Sequence, residues 1–582
     1  MFTMLIALGV CAVLALALTD EDLRSWPPRG YLLKRLVAGI PAIIESFHPD
    51  TGRFGTEPWI CNDQNVLLPL AAAWAIEDEQ NPYFHDEQVL NAIAKGGEAL
   101  VEDQDQDGAW IFRKKDNSTW GQVMQPWTYS RWIRVFYLAG DALPAASRAI
   151  WEEGFIRGYT TLRKQSDHLH VHNMAGHNQM GLYIAGICFD NDDWKQGATR
   201  ALRRLADAQE MGGYWSEHFG PVVMYNRVYV DLLGIYYSFS HDEVVLDALE
   251  RAVDFHSDIL LPDGSSTPSV DERNAYSGQI DIGNVGFSWT PRGRGYLLRQ
   301  LRRRIEAGQP EPEADYAAHM LLHSGEGTEA PIEQAPDRGT ICLQTTSAII
   351  KRVKPWQWAF TGYACAPSTS RWVQDRQNLI DIYHDDLGLV AGGGNTKLQP
   401  FWSTFTVGDT SLLRHEAGDT DPDFQPDIAL QWWPDVAVLK DYETSTKMRL
   451  QYGGTGAQSG HGNLTAIAEA NDDGTLSLIY QAPAGEQVEA HLPLLHRGDT
   501  IETGSGATVT LGEESIRIED LGGWLTYAGL RIDVPSSAYL IWPTLPHDPY
   551  RKDGSAELSS ARPVLCMPFD DVDEYRLRLS RV

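Results

Sequence analysis

The feature that most constrains this chain is a change in its hydrophobic period. Over residues 19–308 apolar side chains recur at three- and four-residue intervals. The segments are 32–45, 65–77, 89–101, 129–139, 145–162, 177–188, 193–209, 228–239, 242–259 and 293–307. That spacing places one apolar stripe on each of ten helices. After residue 339 the period falls to two. Stretches such as 341–353, 356–360, 380–383, 476–480, 515–519 and 575–579 alternate between Gly, Pro and Asp punctuation. These read as short strands of an antiparallel sandwich. A chain of 582 residues has room for two or three domains.

The helical part alternates short turns with long loops rich in Gly, Pro, Trp and Asp, such as 105–110 and 116–126. Hairpins of helices with long loops at one end predict an α/α toroid whose loops line a groove. The expected organisation is a signal peptide or N-terminal anchor over 1–18, a toroid over 19–308, a linker over 309–338 and a β-sandwich over 339–582. The linker carries one short helical pattern at 315–322. Residues 2–18 are almost continuously apolar but short for a membrane span, which fits a secretory leader. A secreted or periplasmic location is the expectation.

The formal net charge of −31 argues against a nucleic-acid partner. An anionic glycan remains compatible, because a few Arg in a cleft override the overall sign. Six scattered Cys show no metal-ribbon spacing; a single bridge, such as Cys342–Cys365, is one reading of two of them.

Two segments carry groups suited to chemistry. The first holds His168, His170, His172, Asn173, His177 and Asn178; the second holds Glu217, Tyr225, Arg227 and Tyr229. The histidines lack a zinc-ligand spacing such as HExxH. Most read as loop and capping histidines, with His177 and Asn178 presented at the start of a helix. Tyr225 follows a Phe-Gly-Pro loop and belongs at a helix entrance, whereas Tyr236 reads as packing. Trp127, Arg131 and Tyr229 in the helical part, and Arg376 in the sandwich, are candidates for gripping a sugar acid by stacking and bidentate pairing. Trp120, Arg371 and Trp372 are of the same kind.

A His/Asn helix, a Gly-Tyr-Trp-Ser-Glu loop leading to Tyr225 and Tyr229, and a sandwich opening on Asp381, His384 and Asp385 together resemble the heparinase II/III-like polysaccharide lyases and the toroid-plus-sandwich alginate lyases. The resemblance implies β-elimination on a uronate-containing glycan. It makes Tyr225 the acid/base, His177 and Asn178 the donors that neutralise the uronate carboxylate, and His384 a base from the second domain. No cofactor is required by that chemistry, although the fold leaves room for a structural metal ion. Two other readings are a glycoside hydrolase using a pair among Asp63, Glu217, Asp231 and Asp271, and a glycan-binding protein without catalysis. No membrane partner is expected beyond the N-terminal segment.

Overall fold

The computed structural model describes residues 23–168, 170–332, 337–343, 348–362, 370–373, 378–394, 397, 399–408, 432–454, 462–485, 487–551 and 553–582. The leader at 1–18, Arg376 and Cys365 lie outside them, as does the side chain of Cys342.

Eleven α-helices occupy the first part of the described chain. They are α1 (Arg29–Glu45), α2 (Leu67–Ala75), α3 (Glu87–Glu102), α4 (Pro126–Ala139), α5 (Ala145–Ser166), α6 (Asn173–Cys188), α7 (Asp192–Asp207), α8 (Val223–Ser240), α9 (Leu246–Asp258), α10 (Pro291–Glu306) and α11 (Ala314–His323). Each of the ten expected helices is present, with ends shifted by up to five residues. The larger shifts are at N-termini. First turns that mix polar and apolar residues, such as 173–176 of α6 and 223–227 of α8, show no clear stripe for sequence reading to detect.

The helices form two shells. In α2 every residue from Leu67 to Trp74 is buried, whereas α5 buries only eight of its 22 residues. An inner ring runs α2, α4, α6, α8, the 3-10 turn Val285–Trp289 and α11, which returns to α2. Small residues permit the close approach. A Cβ on Gly234 of α8 would collide with the backbone of Gly286 in the 3-10 turn, and one on Gly176 would meet Leu232.

One expectation needs correcting. Residues 309–338 are not simply a linker, because α11 closes the ring. Ala317, Ala318 and Met320 are fully buried in the helical core. At ten residues its apolar stripe is too short to distinguish from a loop by pattern alone.

Beyond the ring lies an antiparallel meander of five strands, Arg338–Leu343, Ala348–Val353, Trp356–Gly362, Asn378–His384 and Gly388–Ala391. A second antiparallel sheet of fourteen strands packs on it. The meander is covered on both faces, so its strands are buried without alternation. Trp356, Trp358, Phe360, Ile380 and Ile382 face the large sheet. Ala348, Ile350 and Ala359 face Val223, Phe255, Ile259 and Val270 of the helical domain. The result is a helical toroid capped by a two-sheet sandwich.

Candidate active site

The first turns of the inner elements converge on one mouth of the ring. Trp127 and Arg131 come from α4, His177 from α6, Met224 and Val228 from α8, Asn284 from the cap of the 3-10 turn, and Asp315 from α11. Together they line a cavity of about 290 Å³. Helix N-termini expose unpaired N–H groups and positive dipole ends, so a shared mouth favours an anion. The sandwich sits over this mouth. The Ser269 N–H donates to Asp381 (2.8 Å), the Tyr276 N–H to the Gly393 carbonyl (2.9 Å), and Arg273 Nε to the Trp372 carbonyl (3.1 Å).

The loop at 271–274 organises this junction. Asp271 accepts from the Val223 N–H (2.9 Å) at the start of α8. Glu272, fully buried, accepts from the N–H groups of Phe219 (3.2 Å) and Gly220 (3.0 Å). Arg273 is thereby held against Tyr225, its guanidinium carbon 5.0 Å from the phenol centroid and 5.5 Å from Trp372. Tyr550, from the far end of the sandwich, brings its hydroxyl next to Tyr225 and Arg273. Burial first, then the neighbouring Tyr225, pushes the Tyr550 hydroxyl well above the usual phenol range.

A hairpin of strands Trp110–Arg113 and Thr119–Val123 supplies the opposite wall. Trp120 lies 5.5 Å from Trp372, which lies 5.5 Å from Tyr550, and Lys114 covers Trp120 at 4.9 Å. Trp120 is 53% exposed, so an aromatic face remains open to a sugar ring.

Beside Tyr225, the Asn173 amide in the first turn of α6 donates to Glu217 (3.3 Å), and the Tyr229 hydroxyl donates to the same oxygen (3.0 Å). Tyr229 is buried and stacked on Trp215. It orients Glu217 and has little surface left for a sugar.

Deeper in the ring, His177 stacks on Trp127 with centroids 5.3 Å apart, and its Nδ1 is buried without a partner. Burial lowers its pKa to about 3, against the pull of Asp231, so the ring is neutral. Arg131 is bidentate to Asp315 (2.9 and 2.6 Å). His319 lies between Asp231 (3.8 Å) and Asp315 (3.7 Å).

Other expected site residues are placed differently. Asn178 points toward α4, where its amide donates to the Met124 carbonyl (2.9 Å). It braces the loop before α4 and is not directed into the cleft. His384 is also displaced. Along its strand Asp381 and Tyr383 face the helical domain, so Ile382 and His384 face the large sheet. His384 packs edge-on against Trp356 (4.6 Å) and accepts from the Asp386 N–H (3.1 Å). Arg227 pairs with Asp281, leaving Arg273 as the cation on Tyr225. His172 caps α6 through the Ala175 N–H (3.4 Å), as expected for a scaffold histidine. Among the described residues, no three metal donors gather in the histidine segment.

Of the residues picked from sequence, His177, Trp127 and Arg131 share the ring cavity, and Tyr225 stands at the start of α8 against Arg273. Sequence reasoning lists Trp372 among the stacking candidates but does not single out Asn173, the amide bonded to Glu217, nor Arg273 and Tyr550. The α6 start was the available signal for Asn173. Arg273 and Tyr550 come from separate loops with no shared pattern.

This architecture is that of heparinase III. A crystal structure of heparinase III aligns with 99% of this chain and 87% of its own length, at TM-score 0.52 and 10% identity. Heparan sulfate lyase HepC from Pedobacter heparinus aligns with 97% of this chain and 84% of its own, at TM-score 0.46 and 13% identity. A chondroitin lyase that is a baculovirus envelope protein aligns with 96% of this chain and 84% of its own, at TM-score 0.43 and 10% identity. No protein-family sequence model matches, and no curated protein is similar in sequence. The chain thus has the heparinase II/III-like fold, a toroid followed by an antiparallel sandwich.

Proposed function

We propose that this protein is a polysaccharide lyase that cleaves a uronate-containing glycan by β-elimination in the cleft between ring and sandwich. One observation carries the reading: a half-buried Tyr225, in the first turn of α8, lies under Arg273 with Tyr550 as its neighbour. Elimination needs a base for the proton on C5, a donor for the leaving oxygen on C4, and donors that stabilise the carboxylate as charge spreads into it. Tyr225, acting as its phenolate, takes the C5 proton. The C5–H pair becomes the C4=C5 double bond, the C4–O bond breaks, and its oxygen takes a proton from the hydroxyl of Tyr225 or of the neighbouring Tyr550. Arg273 supplies positive charge to the uronate carboxylate. Asn173, in place of Asn178, is the amide beside it, and Glu217 with Tyr229 holds that amide in position. Neutral His177, Trp127 and Arg131 form the floor that supports the ring.

The alternative of hydrolysis needs a carboxylic acid that stays protonated near neutral pH. Two carboxyls that line the ring cavity, Asp231 and Asp315, are both held low. Burial raises each, but His319 at Asp231 and Arg131 at Asp315 outweigh it. The geometry favours elimination.

The apolar run at 2–18 supports export of the protein; no helix among the described residues is long and apolar enough to cross a membrane. The test of function is a panel of uronate polymers followed by the ultraviolet absorbance of an unsaturated uronate. Chain breakdown without that absorbance overturns the lyase reading in favour of hydrolysis.

A further inference from the structure

A second cluster of reactive side chains lies in the sandwich. Strands Val488–Pro493, Arg562–Pro568 and Tyr539–Thr544 are neighbours in the large sheet. Their register sets His491 opposite Cys566, and Cys566 opposite Tyr539, in one row. Glu489 stands two residues before His491 and so shares its face. The opposite face of this strand, Val488, Ala490 and Leu492, belongs to the sandwich core. His491 and Cys566 are fully buried, and Phe401 covers His491 at 5.2 Å.

We propose that Glu489, His491 and Cys566 form a structural site for a zinc-like divalent cation. The donor atoms of the three residues lie within 4.8 Å of one another. Tetrahedral bonds of about 2.0–2.3 Å to nitrogen, oxygen and sulfur place ligands roughly 3.3–3.8 Å apart, so closure needs the His491–Glu489 pair, at 2.8 Å, to open slightly and the longer separations to contract. Nitrogen, sulfur and oxygen donors in one set suit a borderline cation and are poor for calcium or magnesium.

The surrounding contacts have the character of an outer shell. His491 Nδ1 faces the Ser403 carbonyl (3.2 Å) and Nε2 faces Glu489 Oε1 (2.8 Å). Each ring nitrogen thus faces an oxygen, Nδ1 the backbone and Nε2 the carboxylate of the donor set. Nδ1–H donation to a carbonyl is the usual way a ligating imidazole is oriented. Tyr539 donates to Glu489 Oε2 (2.7 Å), fixing the carboxylate and leaving Oε1 to turn toward the ion. A bound cation displaces the Nε2 and thiol protons to solvent. It ties three strands to the 400–403 segment, whose Trp402 lies against Arg562; that arginine bonds Gly392 at the ring–sandwich junction.

The experiment uses the full chain, stripped by a chelator and titrated with Co²⁺ as a spectroscopic probe. The expected result is one Co²⁺ per chain, with tetrahedral visible bands and a near-ultraviolet thiolate-to-cobalt band that Zn²⁺ abolishes. Cys566→Ser loses the thiolate band, Cys188→Ser keeps it, and Tyr539→Phe binds about 10–100-fold more weakly. Chelation lowers the melting temperature of the wild type and Zn²⁺ restores it. No stoichiometric Co²⁺ binding, binding without the thiolate band, or a band unchanged in folded Cys566→Ser each overturns the proposal. Should Cys566→Ser fail to fold, the wild-type band compared with Cys61→Ser and Cys188→Ser decides the matter.

Discussion

At the residue scale, the proposed elimination rests on Tyr225, and its neighbours set the conditions. Tyr225→Phe removes only a hydroxyl, so the protein stays folded while kcat falls about 10²–10⁴-fold. Asn173→Ala is expected to lower kcat about 10²–10³-fold, whereas Asn178→Ala acts on stability through the lost bond to Met124. Comparing kcat and melting temperature for the two asparagines separates the assignments. His177 has a different signature. Its folded pKa is depressed, so its contribution to stability is present above its ordinary value of 6.5 and is lost as pH falls toward about 3. His177→Gln should flatten the acid side of the stability profile and leave the pH dependence of kcat unchanged in shape. These roles were only partly legible from sequence. Residue type and helix position pointed to Tyr225 and His177. A one-turn difference on α6 separates Asn173, which faces Glu217, from Asn178, which faces α4, and a helix start uncertain by four residues does not resolve that turn.

At the element scale, the inner ring depends on close backbone approach. Gly234 of α8 faces Gly286, and the space between them admits no Cβ. Gly234→Ala should destabilise the protein by about 1–3 kcal/mol through overpacking, read as a fall in the denaturant midpoint at unchanged slope. An unchanged midpoint means the helices can separate freely there. Helix periodicity made nearly every ring element readable because each has one apolar stripe against a common core. The exception, α11, was hidden by its length and by the Pro- and Glu-rich stretch before it. His384 shows the complementary limit for strands. The period of two fixes that alternate residues share a face, but a strand buried on both sides offers no polar face to say which is which.

At the scale of the whole molecule, the cleft exists only because sandwich and ring are fastened together, and a buried carboxyl sits at the fastening. Asp381 accepts the N–H groups of Ser269 (2.8 Å) and Gly393 (3.0 Å). Burial, only partly opposed by those bonds, raises its pKa from 3.8 to about 6. A raised carboxyl pKa means the folded state holds the proton more tightly. The associated stability is complete below pH 3.8 and is lost as pH rises through about 6, with a span of about 3 kcal/mol. Asp381→Asn should remove that dependence, so the stability difference between variant and wild type should grow from pH 4 to 7 in the variant's favour. A difference independent of pH would show that Asp381 titrates normally. Contacts of this kind join residues from opposite halves of the chain, as do Tyr225 with Tyr550 and Arg131 with Asp315. No local pattern encodes them.

The most direct test of the central claim is the ultraviolet absorbance produced when wild type and Tyr225→Phe meet the same uronate polymer. The account predicts that absorbance rises with chain breakdown for the wild type, and that the folded variant binds the polymer but produces almost none. Equal absorbance from both proteins, or breakdown by the wild type with no absorbance at all, would contradict it.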